Sequence, residues 1–290
     1  MHRILIADQL DPSGLALLRQ GGAELYELPE AERPRLAELL PDFDALVVRS
    51  ATKVTADLLR AGKKLKVVGR AGIGVDNVDV AAATELGILV VNAPTANLLS
   101  ATEHTFALLL AVARRVPAAD ASTKGGGWDR KLTGVELQGK TLGVIGFGRI
   151  GQRVAQRAKG FEMNVVAYDP FLDAAAARRL EVELLPLEDL LRRSHVVTLH
   201  TPLTKETKNL LDAERLALLP KGAIVVNCGR GGVIDEAALL AALEAGALAG
   251  AGLDVFAEEP PKDLALVRHP KVVATPHLGA QTREAQERIS

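Results

Sequence analysis

A single cysteine, Cys228, in 290 residues excludes an internal disulfide framework, so the fold must rest on buried apolar surface and hydrogen bonds. Charge of one sign is not in excess: 35 Lys and Arg stand against 36 Asp and Glu, which gives no electrostatic case for a nucleic-acid or anionic-membrane partner. Long apolar runs are also missing. Although 48% of the residues are hydrophobic, runs such as Ile224-Val225-Val226 are strand-sized and fall far short of the roughly 20 residues that span a bilayer. There is no internal repeat, low-complexity tract or long linker; residues 174–177 read as a helical surface run and Lys124-Gly125-Gly126-Gly127 as a flexible turn. The start, Met1-His2-Arg3-Ile4-Leu5-Ile6-Ala7, reads as a first strand and lacks the longer apolar core of a signal peptide, so a cytoplasmic protein is expected. No metal site is expected, and the partner that suits this composition is a small, locally recognised molecule.

Short apolar runs alternate with amphipathic or Ala/Leu-rich stretches from end to end, which predicts strands joined by crossover helices in parallel sheets. At this length two α/β domains are expected. In the first, strands are predicted at residues 4–7, 45–48, 66–69 and 88–91, with a weaker fifth at 23–27. Asn92-Ala93-Pro94-Thr95 interrupts the pattern ahead of a helix from about residue 100 to 114 and marks the junction. Beyond it, strands are predicted at 141–145, 165–168, 196–199, 223–227, 250–253 and 272–274, and six parallel strands suit a doubly wound dinucleotide-binding sheet. The chain stops inside a helical pattern at Gln286-Glu287-Arg288-Ile289-Ser290 with no glycine stop signal, so a longer natural protein is expected.

Gly146-Phe147-Gly148-Arg149-Ile150-Gly151 matches G-x-G-x-x-G directly after a predicted strand and at the start of a predicted helix. Glycine at Gly146, Gly148 and Gly151 permits a tight turn, close approach of a pyrophosphate to the backbone and close packing of helix on strand, while free N–H groups at the helix start hold the phosphates. Asp169 ends the next strand, where a carboxylate accepts from adenosine ribose hydroxyls and repels a 2′-phosphate; Pro170-Phe171-Leu172 after it offers no arginine, so NAD is expected over NADP.

Three further segments lie at or just past strand ends, where ligands bind in open α/β sheets. In Asn227-Cys228-Gly229-Arg230-Gly231-Gly232, small residues leave room for a dinucleotide and Arg230 can grip a carboxylate bidentately, although a lone arginine is more often a surface ion pair. Asp254, Glu258 and Glu259 follow another strand, and any of the three can orient a histidine. Pro276-His277-Leu278-Gly279-Ala280 places an imidazole at the same rim, where it can exchange a proton near neutral pH. His2, His195 and His269 have no such setting. His200, past a strand, and His104, on the helix after the junction, stay in contention by position, but only His277 has both flanking glycine and nearby carboxylates.

In order, these segments, together with Gly69-Arg70-Ala71-Gly72-Ile73-Gly74-Val75-Asp76-Asn77, resemble the D-isomer-specific 2-hydroxyacid dehydrogenase family, and within it the branch that oxidises 3-phosphoglycerate. The resemblance implies a Rossmann-type NAD-binding domain at 96–280 and a smaller flavodoxin-like substrate domain at 1–95, completed by 281–290. It implies Arg230, Glu259 and His277 as the catalytic set, with Glu259 the partner of His277. Arg149, Ile150, Thr201, Pro202, Thr207, Cys228, Gly229, Asp254, Gly279 and Ala280 are implied to line NAD, with Asp254 near the nicotinamide amide. Gly72 and Asn97 join the substrate contacts, with the cations Arg49, Arg70 and Arg130 for a phosphate and Arg230 for the carboxylate. A homodimer or higher homo-oligomer is implied, built through the helix after the junction and the arm around Trp128, for which ordinary core packing is the alternative. Ile73 departs from the branch, which commonly has a small hydroxyl residue there. Enzymes reducing glyoxylate, hydroxypyruvate or other 2-oxo acids share this core, as do NAD-sensing corepressors with little turnover; the joint presence of Arg230, Glu259 and His277 argues against the latter.

Overall fold

The computed structural model describes residues 2–172 and 174–290; Met1, read above with the first strand, lies outside them. The chain divides into two compact units, one formed by Met1–Asn97 with Ala280–Ser290 and the other by Leu98–Gly279. Ala96, Asn97 and Ala280 thus belong to the first unit, where the sequence had placed them in the second. Ala96 is buried there with Ala285 and Ile289, and its carbonyl accepts from Arg288 Nε at 2.8 Å. The Ala280 carbonyl accepts from Gln286 Nε2 at 2.7 Å.

In the first unit, β1 (Arg3–Ile6), β2 (Glu24–Glu27), β3 (Ala45–Val48), β4 (Val67–Arg70) and β5 (Leu89–Asn92) are all parallel, in the order β2-β1-β3-β4-β5. That is the flavodoxin-like order. Helices α1 (Pro12–Gln20), α2 (Leu36–Leu39), α3 (Ala56–Ala61) and α4 (Val80–Glu85) make the crossovers. Three of them start where a side-chain oxygen takes a free amide: Asp11 from Ser13, Thr55 from Leu58 and Asp79 from Ala82. Leu5, Leu46 and Val68 fill one face of the sheet. Ile6 and Val47 fill the other, together with Ala285 and Ile289 of the helix Arg283–Ile289, so the last residues of the chain supply part of this core.

The second unit opens with α5 (Leu98–Ala113) and α6 (Val116–Lys124), then runs β6 (Thr141–Ile145), α7 (Arg149–Gly160), β7 (Asn164–Tyr168), α8 (Ala174–Arg179), β8 (Glu183–Leu184), α9 (Leu187–Arg193), β9 (Val196–Leu199), α10 (Ala213–Leu216), β10 (Ala223–Asn227), α11 (Glu236–Glu244), β11 (Leu248–Leu253), α12 (Ala265–Arg268) and β12 (Val272–Ala274). All its strands are parallel, ordered β12-β11-β10-β9-β6-β7-β8, so both sheets are doubly wound as the sequence predicts. The seventh strand, β8, was not foreseen. Alternate strand residues serve opposite faces: Leu142, Val144, Ile224 and Val226 pack toward α5 and α7, whereas Ile145, Val197, Val225 and Ala251 pack toward α9 and α11. Residues 174–177 are helical, but Ala177 is buried rather than on the surface. Trp128 is 80% exposed, which overturns the core-packing alternative. No helix among the described residues is long and apolar enough to cross a membrane.

Candidate functional site

The site of the second unit is built at the carboxyl ends of β6, β7, β10, β11 and β12. After β6 the backbone turns at Gly146 with φ +87°, a conformation that glycine adopts without strain. A Cβ there would lie 2.8 Å from the His200 carbonyl, and one on Gly151 would strike the Gly146 carbonyl oxygen, so the helix sits directly on the turn. Gly148 differs: a Cβ on it would meet nothing within 4 Å, and no side chain caps the helix it begins. Phe147 is fully buried and anchors the turn from below. An open helix start of this kind attracts an anion. Thr201 packs against the turn, and its buried hydroxyl has no partner among the described residues. Asp169, half-buried, accepts from Phe147 N at 2.8 Å and from Phe171 N at 2.9 Å, which fixes its carboxylate at the end of β7 beside the turn. The open space at Gly148, the uncapped helix and the unpartnered Thr201 hydroxyl fit a dinucleotide.

Of the other residues expected around a cofactor, Arg149 and Ile150 form the first turn of α7, and Gly229 and Arg230 follow β10. The Thr207 hydroxyl is spent locally, donating to Pro202 O at 2.6 Å and accepting from Thr204 N at 2.7 Å. Cys228 is half-buried, and burial pushes its thiol up to about 12, so the group is a neutral thiol. His200, half-buried and hydrogen-bonded to Thr198 Oγ1 at 2.9 Å, is pushed down to about 4 by desolvation and stays neutral. Gly279 is held on both sides, its N–H by Asp254 and its carbonyl by Ser100 Oγ at 2.7 Å.

The structure brings His277 and Glu259 together. His277 Nδ1 lies 2.8 Å from Glu259 Oε2, with the two side chains 47% and 37% exposed. That bond first, and the Glu259 charge with it, hold the His277 pKa above its ordinary value against burial and the nearby Arg230 charge. Burial pushes the Glu259 carboxyl upward, but the His277 bond and charge and the Phe256 N–H at 3.1 Å outweigh it and leave the pKa lowered. Arg230 Nη1 donates to Gly229 O at 2.8 Å, and Asn227 Nδ2 steadies its backbone by donating to Arg230 O at 2.9 Å.

Asp254, expected to line the cofactor, has a second task that sequence reasoning missed. It is only 1% exposed. Its Oδ1 accepts from Leu278 N at 2.7 Å, Thr275 Oγ1 at 2.6 Å and His104 Nε2 at 3.1 Å, and its Oδ2 from Gly279 N at 2.8 Å. Burial raises its pKa, but these bonds together hold it low, and the carboxylate pins the loop that presents His277.

The remaining substrate candidates fall in different units. In the first, Arg49 follows β3, Arg70 ends β4 with its Nε 3.4 Å from Asn77 Oδ1, and Gly72 lies against the Arg70 guanidinium. Asn97, also there, has a buried Oδ1 without a partner among the described residues. Arg130 is exposed in the second unit, on the segment that carries Trp128.

Residues 106–279 match the family described as D-isomer specific 2-hydroxyacid dehydrogenase, NAD binding domain. The chain is 51% identical over 289 residues to D-3-phosphoglycerate dehydrogenase of Sus scrofa, covering 99% of this chain and 54% of that protein. It is 49% identical to the enzyme of that name from Bacillus subtilis, covering 100% and 55%. The chain therefore spans about half the length of these relatives. Among solved structures, the TT0316 protein of Thermus thermophilus superposes with a TM-score of 0.89 at 40% identity, covering 99% of this chain and 93% of that one. D-lactate dehydrogenase of Aquifex aeolicus, complexed with NAD and lactic acid, gives 0.84 at 30%, covering 99% and 92%. With the open glycine turn, the paired histidine and carboxylate and the match across its second unit, the chain belongs to the D-isomer-specific 2-hydroxyacid dehydrogenase family and carries that family's NAD-binding domain.

Proposed function

We propose that this chain is an NAD-dependent D-2-hydroxyacid dehydrogenase whose substrate pair is 3-phosphoglycerate and 3-phosphohydroxypyruvate, the oxidation that opens serine biosynthesis. The observation that carries the reading is the hydrogen bond between His277 and Glu259, with Arg230 near enough to oppose the protonation of His277. NAD, when bound, supplies the hydride acceptor for oxidation, and its reduced form the donor for the reverse reaction. Gly146, Gly148, Arg149, Ile150 and Gly151 hold the pyrophosphate, and Asp169 the adenosine ribose.

Arg230 grips the substrate carboxylate with its guanidinium fork. In oxidation neutral His277 takes the C2 hydroxyl proton as the C2 hydrogen leaves as hydride; in reduction the imidazolium returns that proton to the carbonyl oxygen. Glu259, holding Nδ1, orients the ring so that Nε2 exchanges the proton, and it stabilises the imidazolium. Arg49, Arg70, Gly72 and Asn97 are the proposed substrate contacts of the first unit. Arg130, reaching in from a second copy of the chain, completes the phosphate site. Support for the phosphorylated substrate is the half-identity to proteins named D-3-phosphoglycerate dehydrogenase. We further propose a cytoplasmic homodimer.

The test is NADH absorbance with purified protein and phosphohydroxypyruvate, hydroxypyruvate, glyoxylate or pyruvate. A strong preference for phosphohydroxypyruvate over hydroxypyruvate is expected, because only a site that reads the phosphate distinguishes the two. Equal use of both would sink the proposed substrate, and silence across the panel with NADH still bound would sink the enzyme reading in favour of a binding module.

A further inference from the structure

His277 sits in the left-handed backbone region at φ +55°, which a non-glycine residue keeps only when its surroundings enforce it. The His277 amide is shared with the Thr275 carbonyl at 3.1 Å, but most of the enforcement on this loop comes from Asp254. The carbonyl of Asp254 accepts from His277 N at 2.9 Å, and its carboxylate takes the next two amides, Leu278 and Gly279, along with the Thr275 hydroxyl. The backbone on both sides of the imidazole therefore hangs from Asp254, and what fixes Asp254 fixes His277.

A helix that approaches unusually closely reaches Asp254 from above. His104, Leu108 and Val112 are spaced four apart on α5 and share a face. Gly250, Gly252 and Asp254 are spaced two apart along and just past β11 and share a face of the sheet. A Cβ on Gly252 would lie 2.9 Å from Leu108 Cβ, and one on Gly250 would lie 2.7 Å from Val112 Cγ1. Two glycines thus let α5 settle onto β11, and one turn further along the helix the same closeness sets His104 Nε2 at 3.1 Å from Asp254 Oδ1 and 2.9 Å from Thr275 Oγ1. Thr275 spends its only proton on Asp254 at 2.6 Å, and the carboxylate has none to give, so Nε2 must carry the hydrogen and donate to both oxygens. The imidazole is therefore the donor that closes the network.

We propose that His104 is a positioning residue of the hydride-transfer site, acting through Asp254 and Thr275 on the loop that holds His277 against Glu259. This deepens the proposed dehydrogenase reading and rests on it. The groups that face His277 and set its charge are Glu259, Asp254 and Arg230, and His104 reaches it only through the second of these. Loss of the Nε2–H donor frees Asp254 to shift, slackens the His277–Glu259 contact and lets the His277 pKa fall back toward its ordinary value.

The experiment is an NMR titration of the histidine side chains in the protein free of cofactor and substrate, on wild type, His104→Phe and His104→Gln, paired with kcat, KM and NADH affinity. His104→Phe fills the space without a donor, and His104→Gln places an amide N–H near the position of Nε2. We expect His104→Phe to lower the His277 pKa and cut kcat about tenfold or more, as modest misplacement of a reacting group does, with NADH affinity within about threefold of wild type. His104→Gln should restore both quantities most of the way. An unchanged His277 titration in His104→Phe, or equal impairment in the two variants, overturns the proposal; where His104→Phe does not fold, His104→Leu reads the same quantity. The titration needs no substrate, so its outcome stands apart from the substrate panel: a panel failure removes the dehydrogenase reading and leaves the coupling of His104 to His277 measurable.

Discussion

At the residue scale, the His277–Glu259 pair makes two predictions whose signs follow from its opposite pKa shifts. The raised His277 pKa contributes stability that is complete below the ordinary value of 6.5 and is lost as pH rises through the folded value. The lowered Glu259 pKa contributes stability that is complete above the ordinary 4.5 and is lost as pH falls through the folded value. Wild type should therefore exceed Glu259→Gln in thermal stability most between pH 4.5 and 6.5, with the gap narrowing on either side; a gap independent of pH would mean that the pair is not charged as described. The same substitution should lower the His277 pKa, so that kcat for reduction, which needs the imidazolium, declines at lower pH than in wild type. A kcat–pH profile checks it. The sequence named His277 but offered three carboxylates, and only the resemblance chose Glu259; proximity after folding, which no local pattern encodes, distinguishes it from Glu258, whose carboxylate pairs with Lys262.

At the element scale, the glycine turn separates stability from binding. Gly148→Ala places a methyl in open space at φ −70°, so unfolding free energy should stay within about 0.5 kcal/mol of wild type while NADH binding weakens. Phe147→Ala empties a fully buried site beneath the turn and should cost about 3–5 kcal/mol. Denaturant unfolding beside NADH fluorescence titration reads both, and the account fails if the two variants lose stability equally. Nearly every strand was legible because each parallel strand, covered on both faces, reads as a short apolar run. The exception, β8, pairs only Glu183 and Leu184 at the sheet edge, too briefly to leave a periodicity. The closeness of α5 to β11 was not legible either: Gly250 and Gly252 read as ordinary small residues of a strand until Leu108 and Val112 are seen lying over them.

At the scale of the whole molecule, both units repeat one plan, a parallel sheet wound on both faces, and in the second the proposed reacting groups Arg230, Glu259 and His277 lie on loops after the strands' carboxyl ends. The only tryptophan, Trp128, is 80% exposed in the single chain, on the arm proposed to meet a second copy. Its emission should shift to the red as the protein is diluted and the sedimenting mass falls toward 30.7 kDa; emission that ignores dissociation would move the interface elsewhere. The measurement that bears most directly on the central claim is steady-state turnover of His277→Ala with NADH and phosphohydroxypyruvate, alongside NADH affinity. The account predicts turnover reduced at least 100-fold with NADH affinity nearly unchanged; a folded variant that turns over within a few-fold of wild type would contradict it.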